Sequence, residues 1–374
     1  MSVVIKEVQS KKDRKAFVNL PYQIYKDNKY WVPPLKFDEY HSINPKDNPA
    51  LRKFKHKFFI AIKNGKVVGR IGAAINHIYN EKVGKNYVRI INPEFYDDKE
   101  VFEALIKTVE DFGKKNGMEF IHGPLGFTNL DKQGLLVEGF DYLQAVGSVY
   151  HKPYYKEHFE RLGFEKENDW LELRVTITED IIEKSKKLIP LISKRFDLKI
   201  EEFTSIEEVK EKFLDSLFEI LNSAFQNLPY VIPFDNELKA YYTKKYIDIL
   251  NPRFIKIMTK NNELAGFTIG MPSLSEALQK AKGHLLPFGI FHIRRALKKP
   301  KVVEILLTGT NPKYNKFGTG ALVIGLLQLE LWEVGGRYFE TTGIFETNQA
   351  ALSNWKQFKE KIQHKRRRVY VKPL

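Results

Sequence analysis

A chain of 374 residues with 43% hydrophobic and 29% charged residues is typical of a globular protein large enough for two domains. The absence of cysteine excludes disulfide bonds, thiolate catalysis and cysteine-ligated zinc, and no uncharged apolar run reaches the roughly 18 residues of a membrane span. The net charge of +15 favours an anionic partner, such as a nucleic acid, a phosphate-bearing cofactor or an acidic membrane surface, although dispersed lysines also serve solubility.

The first half begins without the apolar core of a secretory signal, so we expect a cytoplasmic protein. Residues 4–17 predict a short strand and a helix. Residues 58–76 predict a β-hairpin that turns at Asn64 and Gly65. Residues 101–125 predict a helix and a strand, and a further helix and strand close this half.

The second half repeats that order. Residues 199–213 again predict a strand and a helix, residues 254–273 a hairpin that turns at Asn261 and Asn262, and residues 319–344 a helix and a strand. The common order β–α–β–β–β–α–β–α–β predicts an α+β fold in which each half is a mixed sheet flanked by helices.

The two halves define the expected domains. The first covers residues 1–176 and the second residues 199–374. Residues 177–198 predict a linker helix, because Thr178 is a good N-cap residue in front of an acidic first turn.

Residues 274–300 form an insertion between the second hairpin and the next strand. Its apolar "LLPFGIF" lies beside the basic "RRALKK". This pattern is compatible with a lid, a membrane-facing patch or a packed amphipathic helix, and packing is the commonest outcome for such a segment.

A glycine-containing turn lies inside "VVEILLTGTNPKYNKFGTGALVIGLLQLELW", residues 302–332. The strand before it is rich in valine and isoleucine, and the helix after it is apolar on nearly all sides, which predicts burial. The first turn of the helix contains no carboxylate, and Gly318 and Gly320 allow close backbone approach. The turn is therefore either a tight connection or a cradle for phosphate.

This stretch resembles the core of the GNAT acetyltransferase superfamily. Residues 315–320, "NKFGTG", fall on the acetyl-CoA motif [Gln/Arg]-x-x-Gly-x-[Gly/Ala], with Asn315 at the first position. Motifs such as "LPYQIYKDNKYWVPPL", "GKVVGRI" and "YHKPYY" extend the resemblance over most of the chain, to an uncharacterised bacterial subgroup with two tandem GNAT-like domains. The first half has "NPEFYDDKEVFEAL" at the equivalent place, without the glycine pair.

The resemblance implies that acetyl-CoA or another acyl-CoA binds in the second half. Backbone amides of the turn would hold the pyrophosphate, and the preceding strand would pair with the pantetheine arm. The residues implied are Leu307, Thr308, Thr310, Asn315, Lys316, Phe317, Gly318, Thr319, Gly320, Ala321 and Asn348.

The same resemblance suggests catalytic groups. Glu304, on the cofactor strand, is the expected base, because a carboxylate in an apolar strand has a raised pKa, and Glu340 on the neighbouring strand is a second candidate. The position of the family's usual tyrosine acid holds Trp355, so Tyr314, Tyr338 or water would protonate the leaving thiolate.

A polar, glycine-rich stretch at residues 123–144 is the candidate acceptor-binding segment. Asn129, Asp131 and Glu138 are its expected ligands in a pocket between the halves, and an ordered Ω-loop is the alternative interpretation.

We therefore expect an acyl-CoA-dependent N-acyltransferase that acts on a small amine-bearing acceptor. One alternative is transfer of aminoacyl groups from tRNA, as in the peptidoglycan-branching enzymes, which suits the basic charge. Another is a non-catalytic acyl-CoA-binding module, which the tryptophan at position 355 favours. The nine histidines are scattered without i, i+4 spacing, so no metal site is expected.

Overall fold

The computed structural model describes residues 2–374, which form one extended mixed sheet with helices on both faces. The strands are β1 (Val4–Glu7), β2 (Lys55–Lys63), β3 (Lys66–Ile75), β4 (Tyr87–Phe95), β5 (Phe120–Gly123), β6 (Leu135–Glu138), β7 (Glu165–Thr176), β8 (Lys199–Glu201), β9 (Ile255–Lys260), β10 (Glu263–Pro272), β11 (Val302–Thr310), β12 (Tyr338–Thr341), β13 (Ile344–Phe345) and β14 (Lys361–Pro373).

The helices predicted from the sequence are present, and the structure adds further helices, two of them in the insertion. The α-helices are α1 (Lys11–Ile24), α2 (Lys36–Ser42), α3 (Pro49–Lys53), α4 (His77–Val83), α5 (Lys99–Lys115), α6 (Tyr154–Arg161), α7 (Glu179–Phe196), α8 (Ile206–Ala224), α9 (Asn236–Tyr246), α10 (Ser275–Ala281), α11 (Gly289–Lys298), α12 (Thr319–Glu333) and α13 (Gln349–Ser353). Short 3₁₀ helices cover Ile247–Ile249, Pro252–Phe254 and Pro312–Phe317.

Each half contributes the same sheet motif. In the first half β1 to β4 are antiparallel neighbours and β5 adds to β4 in parallel. In the second half β8 to β11 are antiparallel neighbours and β12 adds to β11 in parallel. The predicted fold class, two tandem mixed-sheet domains flanked by helices, is confirmed.

The last strand of each half is exchanged. The sheet runs β1-β2-β3-β4-β5-β14-β7-β12-β11-β10-β9-β8, with β6 and β13 paired beside β14 and β7. Thus β14, the last strand of the chain, pairs antiparallel with β5 of the first half, while β7 pairs antiparallel with β12 of the second. Because β7 and β14 also pair with each other, one hydrogen-bonded sheet joins the two halves.

Helix α12 is buried from both sides, which explains its apolar sequence. Leu322, Val323, Leu327 and Leu331 are each at most 6% exposed, because β9 to β11 cover one side of the helix and α7 covers another. The amide of Gln328 donates to the carbonyl of helix α7 at Ile181 (3.3 Å). The N-terminus of α12 is therefore held in a fixed position against the end of β11.

Both predicted hairpin turns adopt the left-handed backbone that their sequences favour. Asn64 and Gly65 have φ angles of 54° and 72°, and Asn261 and Asn262 have φ angles of 51° and 61°. Across residues 2–374, no helix combines the length and apolar character that crossing a bilayer needs.

Candidate functional site

The glycine turn between β11 and α12 leads into a helix N-terminus that no side chain caps. Gly318 has a φ of 69° and joins the 3₁₀ helix Pro312–Phe317 to α12. Among the described residues no side chain accepts from the amides of Thr319, Gly320 and Ala321. The first turn also contains no acidic side chain, so the positive end of the helix dipole remains uncompensated.

The surroundings of Gly320 leave little room for a side chain. A Cβ there would lie 3.2 Å from the side chain of Asn354 and 3.3 Å from Cγ2 of Thr310. The hydroxyl of the neighbouring Thr319 is buried and has no partner among residues 2–374. These features give a narrow, donor-lined cradle at the mouth of α12, which suits an anion.

The strand that leads to this cradle has a free edge. Pairing of β11 with β12 ends at Ile305 and Thr341, and a bulge at Leu306 interrupts its register with β10. Beyond that point Leu307 to Thr310 pair only with β10, and in the described part of the chain no strand pairs with their other edge. An extended ligand arm can add there through backbone hydrogen bonds.

Glu304 lies near the start of the same strand and is completely buried. Oε1 accepts the hydroxyl of Ser273 (2.8 Å) and lies 3.4 Å from the hydroxyl of Ser275, and Oε2 accepts the amide of Gly147 (3.2 Å) from the first half. Burial raises the pKa of Glu304, these donors oppose the rise, and Glu340 adds to it. The predicted base is therefore enclosed by donors from both halves.

Glu340, the second candidate, is the register partner of Glu304 on β12. Its carboxylate lies 3.5 Å from Nη1 of Arg174 and 3.9 Å from Nε2 of His364, and the residue is 8% exposed. Burial raises the pKa of Glu340, although Lys365 and Arg174 oppose this shift. The two predicted carboxylates thus lie side by side, and Glu340 keeps some contact with solvent.

The exchanged strands add a buried charge network that sequence reasoning missed. Glu172 on β7 accepts Nε of Arg367 (2.7 Å) and the hydroxyl of Ser148, and lies 3.6 Å from Nζ of Lys365. Despite desolvation, Arg367 and Lys365 hold the pKa of Glu172 below its usual range. Nζ of Lys365 also donates to the carbonyl of Leu143 (2.7 Å), so the network holds the first-half loop that covers Glu304.

Of the two candidate acids, only Tyr338 lies on the same strand as one of the carboxylates. The hydroxyl of Tyr314 donates to Glu263 (2.9 Å) at the β9–β10 hairpin. Tyr338 is 37% exposed at the start of β12, two residues before Glu340, and its ring lies 5.0 Å from the guanidinium of Arg174, which pairs with Glu340. Trp355, at the family's tyrosine position, is buried in the core among apolar side chains.

Asn348 caps the last helix, as its position at the start of the helix predicts. Its Oδ1 accepts the amide of Ala351 (3.1 Å). At the cofactor turn, Oδ1 of Asn315 accepts the hydroxyl of Thr310 (2.5 Å), which fastens the turn to the end of β11.

The three predicted acceptor ligands occupy different environments. Asp131 closes a turn by accepting the amides of residues 127 and 128 and lies 3.5 Å from Lys245 of the second half. Asn129 has a buried, unpartnered Oδ1 among residues 2–374. Glu138, on β6, is ion-paired with Arg366 on β14 (3.2 Å). Asp131 thus faces the second half, whereas Glu138 faces the exchanged strand.

Two curated proteins are similar to the chain along nearly its whole length. Protein YghO of Escherichia coli is 28% identical over 379 residues, covering 99% of this chain and 95% of that protein. The bacterial ceramide synthase of Caulobacter vibrioides is 26% identical over 388 residues, covering 98% and 96% respectively. No protein-family model matches the chain.

Solved structures resemble the fold at low sequence identity. The chain covers 38% of a fungal multi-domain β-N-acetylglucosaminidase that includes a glucosamine N-acetyltransferase region related to GNAT enzymes; the TM-score is 0.57, with 13% identity over 99% of this chain. A tandem GNAT protein from the clavulanic acid biosynthesis pathway gives a TM-score of 0.55, with 11% identity over 100% of this chain and 98% of that one. The chain therefore has the tandem, two-domain fold of the GNAT N-acetyltransferase superfamily.

Proposed function

We propose that this protein is an acyl-CoA-dependent N-acyltransferase whose donor binds in the second half. The observation that carries the proposal is the N-terminus of α12 at Thr319 to Ala321, which no side chain caps, next to the unpaired edge of β11. A diphosphate fits the amides, and a pantetheine arm fits the strand edge, so one elongated ligand satisfies both.

The position of the carboxylates agrees with this donor. From Thr310 back to Glu304 the strand spans about 20 Å at ~3.3 Å per residue, which is the length scale of an extended pantetheine arm. The thioester of a donor anchored at the cradle would therefore come near Glu304 and Glu340. In this proposal the reacting carbonyl would lie between the sheet and the first-half loop at Gly147.

In the proposed reaction the acceptor nitrogen attacks the thioester carbonyl carbon. A C–N bond forms, the C–S bond breaks, the nitrogen loses a proton to a carboxylate and the thiolate takes up a proton from water. We assign the proton acceptor to the Glu304–Glu340 pair, with Glu340 as the member that solvent and substrate reach. A carboxylate with a raised pKa is a stronger base, which suits the removal of a proton from the acceptor nitrogen near neutral pH.

The similarity to a ceramide synthase suggests the first acceptor to test. A ceramide is the amide of a fatty acid with a long-chain amino alcohol, so a long-chain amine is a reasonable acceptor for this chain. A hydrophilic amine such as glucosamine is the contrasting acceptor, because a fold relative contains a region for that chemistry.

The test is release of free CoA thiol by the full-length protein. Acetyl-CoA and a long-chain acyl-CoA would each be incubated with sphinganine in micelles or with glucosamine, and amide formation would be checked by mass spectrometry. We expect amine-dependent thiol release that falls about 100-fold or more in Glu340→Gln, the usual scale for loss of a general base. Tight CoA binding without thiol release for any amine would instead support a non-catalytic binding module.

A further inference from the structure

The insertion places large apolar side chains in water. Leu286 and Phe288 are 72% and 71% exposed, Phe291 is 63% exposed and Leu285 is 42% exposed. These four residues, here called the apolar patch, lie on the loop between α10 and α11 and on the first turn of α11. A contiguous group of this kind on a protein surface marks an interaction site.

The flanks of the apolar patch are uniformly basic. No aspartate or glutamate occurs in residues 277–303. The basic residues of this segment are Lys280, Lys282, Arg294, Arg295, Lys298, Lys299 and Lys301. Within residues 2–374 none of these seven forms an ion pair. The segment therefore carries positive charge that the protein itself leaves uncompensated.

Helix α11 combines the two properties on one face. At 3.6 residues per turn, Phe291 shares a face with Arg294, Arg295 and Lys298, and all four are exposed. The exposed face of α11 thus presents one apolar side chain beside three long basic side chains. The aliphatic stems of such side chains can lie along an apolar layer while their charged ends reach phosphates.

The apolar patch is held on a rigid support. The amide of Gln279 on α10 donates to the carbonyls of Lys29 (2.8 Å) and Trp31 (3.0 Å). The carbonyl of Gly283 accepts the amide of Lys36 (3.0 Å), also in the first half. These bonds fix the loop before the apolar patch, so its exposure is a property of the folded protein.

Helix α10, which precedes the apolar patch, begins at the candidate site. The hydroxyl of Ser275, the first residue of α10, lies 3.4 Å from Glu304 and donates to the carbonyl of Gln144 (2.7 Å). The seven residues of α10 span about 10 Å at ~1.5 Å per residue. Helix α10 therefore connects the neighbourhood of Glu304 to the loop that carries the apolar patch.

We propose that the apolar patch and its basic flanks dock the protein on the surface of an anionic lipid bilayer. The bilayer supplies both an apolar layer for the four side chains and phosphates for the seven cations. A nucleic acid would satisfy the cations but leave the leucines and phenylalanines in contact with a charged backbone. Delivery of a bilayer-held amine to Glu304 and Glu340 follows if the proposed function holds, whereas the docking itself does not depend on it.

The test is vesicle flotation of the full-length protein without acyl donor. Vesicles of phosphatidylcholine alone would be compared with vesicles that also contain phosphatidylglycerol. We expect the bound fraction to be about 10-fold higher on the anionic vesicles and to fall with added salt, as electrostatic attraction to lipid requires. Leu286→Glu/Phe288→Glu and Arg294→Glu/Arg295→Glu should each reduce binding to the background level.

A matched control is available on α7. Leu188 and Leu191 are 47% and 57% exposed, so Leu188→Glu/Leu191→Glu removes apolar surface of the same kind elsewhere. This variant should float like the wild type, and circular dichroism should show that all variants are folded. The proposal would be overturned if the wild type did not float, or if the patch variants floated as well as the control variant. It would also be overturned if the apolar patch caused self-association without flotation. Failure of membrane docking would leave thiol release with a water-soluble amine unchanged, so the docking proposal and the proposed function can fail separately.

Discussion

The carboxylate of Glu304 in the second half accepts the backbone amide of Gly147 in the first half at 3.2 Å. This bond holds a loop of the first half over strand β11 of the second half. A Cβ on Gly147 would lie 2.9 Å from Thr342 and 3.4 Å from Leu306, so the loop packs where β11 and β12 separate. The candidate site is therefore built by both halves.

The first prediction concerns Glu304→Gln. The amide of Gly147 and the hydroxyl of Ser273 both donate to the carboxylate. A glutamine NH₂ would therefore face the Gly147 amide without an acceptor, or would require the Ser273 hydroxyl to turn and accept. We expect a loss of about 1–3 kcal/mol in the free energy of unfolding and a fall in kcat of about 100-fold. Urea unfolding and thiol release measure the two effects. Glu103→Gln, on α5 of the first half, where the carboxylate pairs with Arg161 at the surface, is the control. Wild-type kcat in Glu304→Gln would remove Glu304 from the chemistry.

The second prediction concerns the acid stability of the protein. Burial, assisted by Lys365, lowers the pKa of His364 to about 4, while in the unfolded chain this pKa has its ordinary value of 6.5. Glu172 acts in the opposite direction, and Arg174 and Glu340 also face this imidazole. Because the folded pKa is depressed, the unfolded state binds the extra proton, and stability falls as pH decreases from about 6.5 to about 4.

His364→Asn tests this linkage. The asparagine amide can still reach the carbonyl of Glu172 that Nδ1 contacts at 3.0 Å, but it does not titrate. Between about pH 7.5 and about pH 5 the wild type should lose about 2 kcal/mol of unfolding free energy more than the variant does. Urea titrations at the two pH values measure the difference, with the exposed His41→Asn as the control. Equal losses in wild type and His364→Asn would contradict the account.

The third prediction concerns the tryptophan at the family's tyrosine position. Trp355 is 3% exposed and its ring lies 5.7 Å from Phe358 and 6.3 Å from Phe339. Trp355→Tyr should leave a small cavity and bury a hydroxyl, which lowers the unfolding free energy by about 1–3 kcal/mol. It should not raise kcat, because a phenol there remains in the core. A marked gain in thiol release would show that this position reaches the leaving thiolate.

The parts of the structure that were predicted from sequence are those with a local cause. The asparagine and glycine turns of both hairpins, the left-handed Gly318 and the buried α12 follow from short patterns of residue type. The glycine turn also predicted an anion cradle, because the amides at any helix N-terminus attract an anion and glycine lets it approach the backbone closely.

The parts that were missed depend on contacts distant in sequence. The run "HKRRR" indicated only surplus charge, yet Arg367 pairs with Glu172, which lies 195 positions away. No local pattern tells which strand β14 joins, so the strand exchange and its buried ion pairs were not predicted. For the same reason the sequence placed Glu304 on the cofactor strand but did not indicate that Gly147 covers it.

The most direct test of the central claim is calorimetric titration of CoA into the wild type and Gly318→Asp. Gly318 is preferable to Gly320 because its Cβ would meet no atom within 4 Å. An aspartate there adds a negative charge at the uncapped amides together with the strain of a side chain at a φ of 69°, so the control must carry the same strain. Gly335→Asp is the matched control, since Gly335 has a φ of 87° and equally open surroundings at the other end of α12. We expect wild type and Gly335→Asp to bind CoA alike and Gly318→Asp to bind about 100-fold more weakly or not at all. Unchanged affinity in Gly318→Asp, or no CoA binding by the wild type, would contradict the assignment of the α12 N-terminus as the donor site.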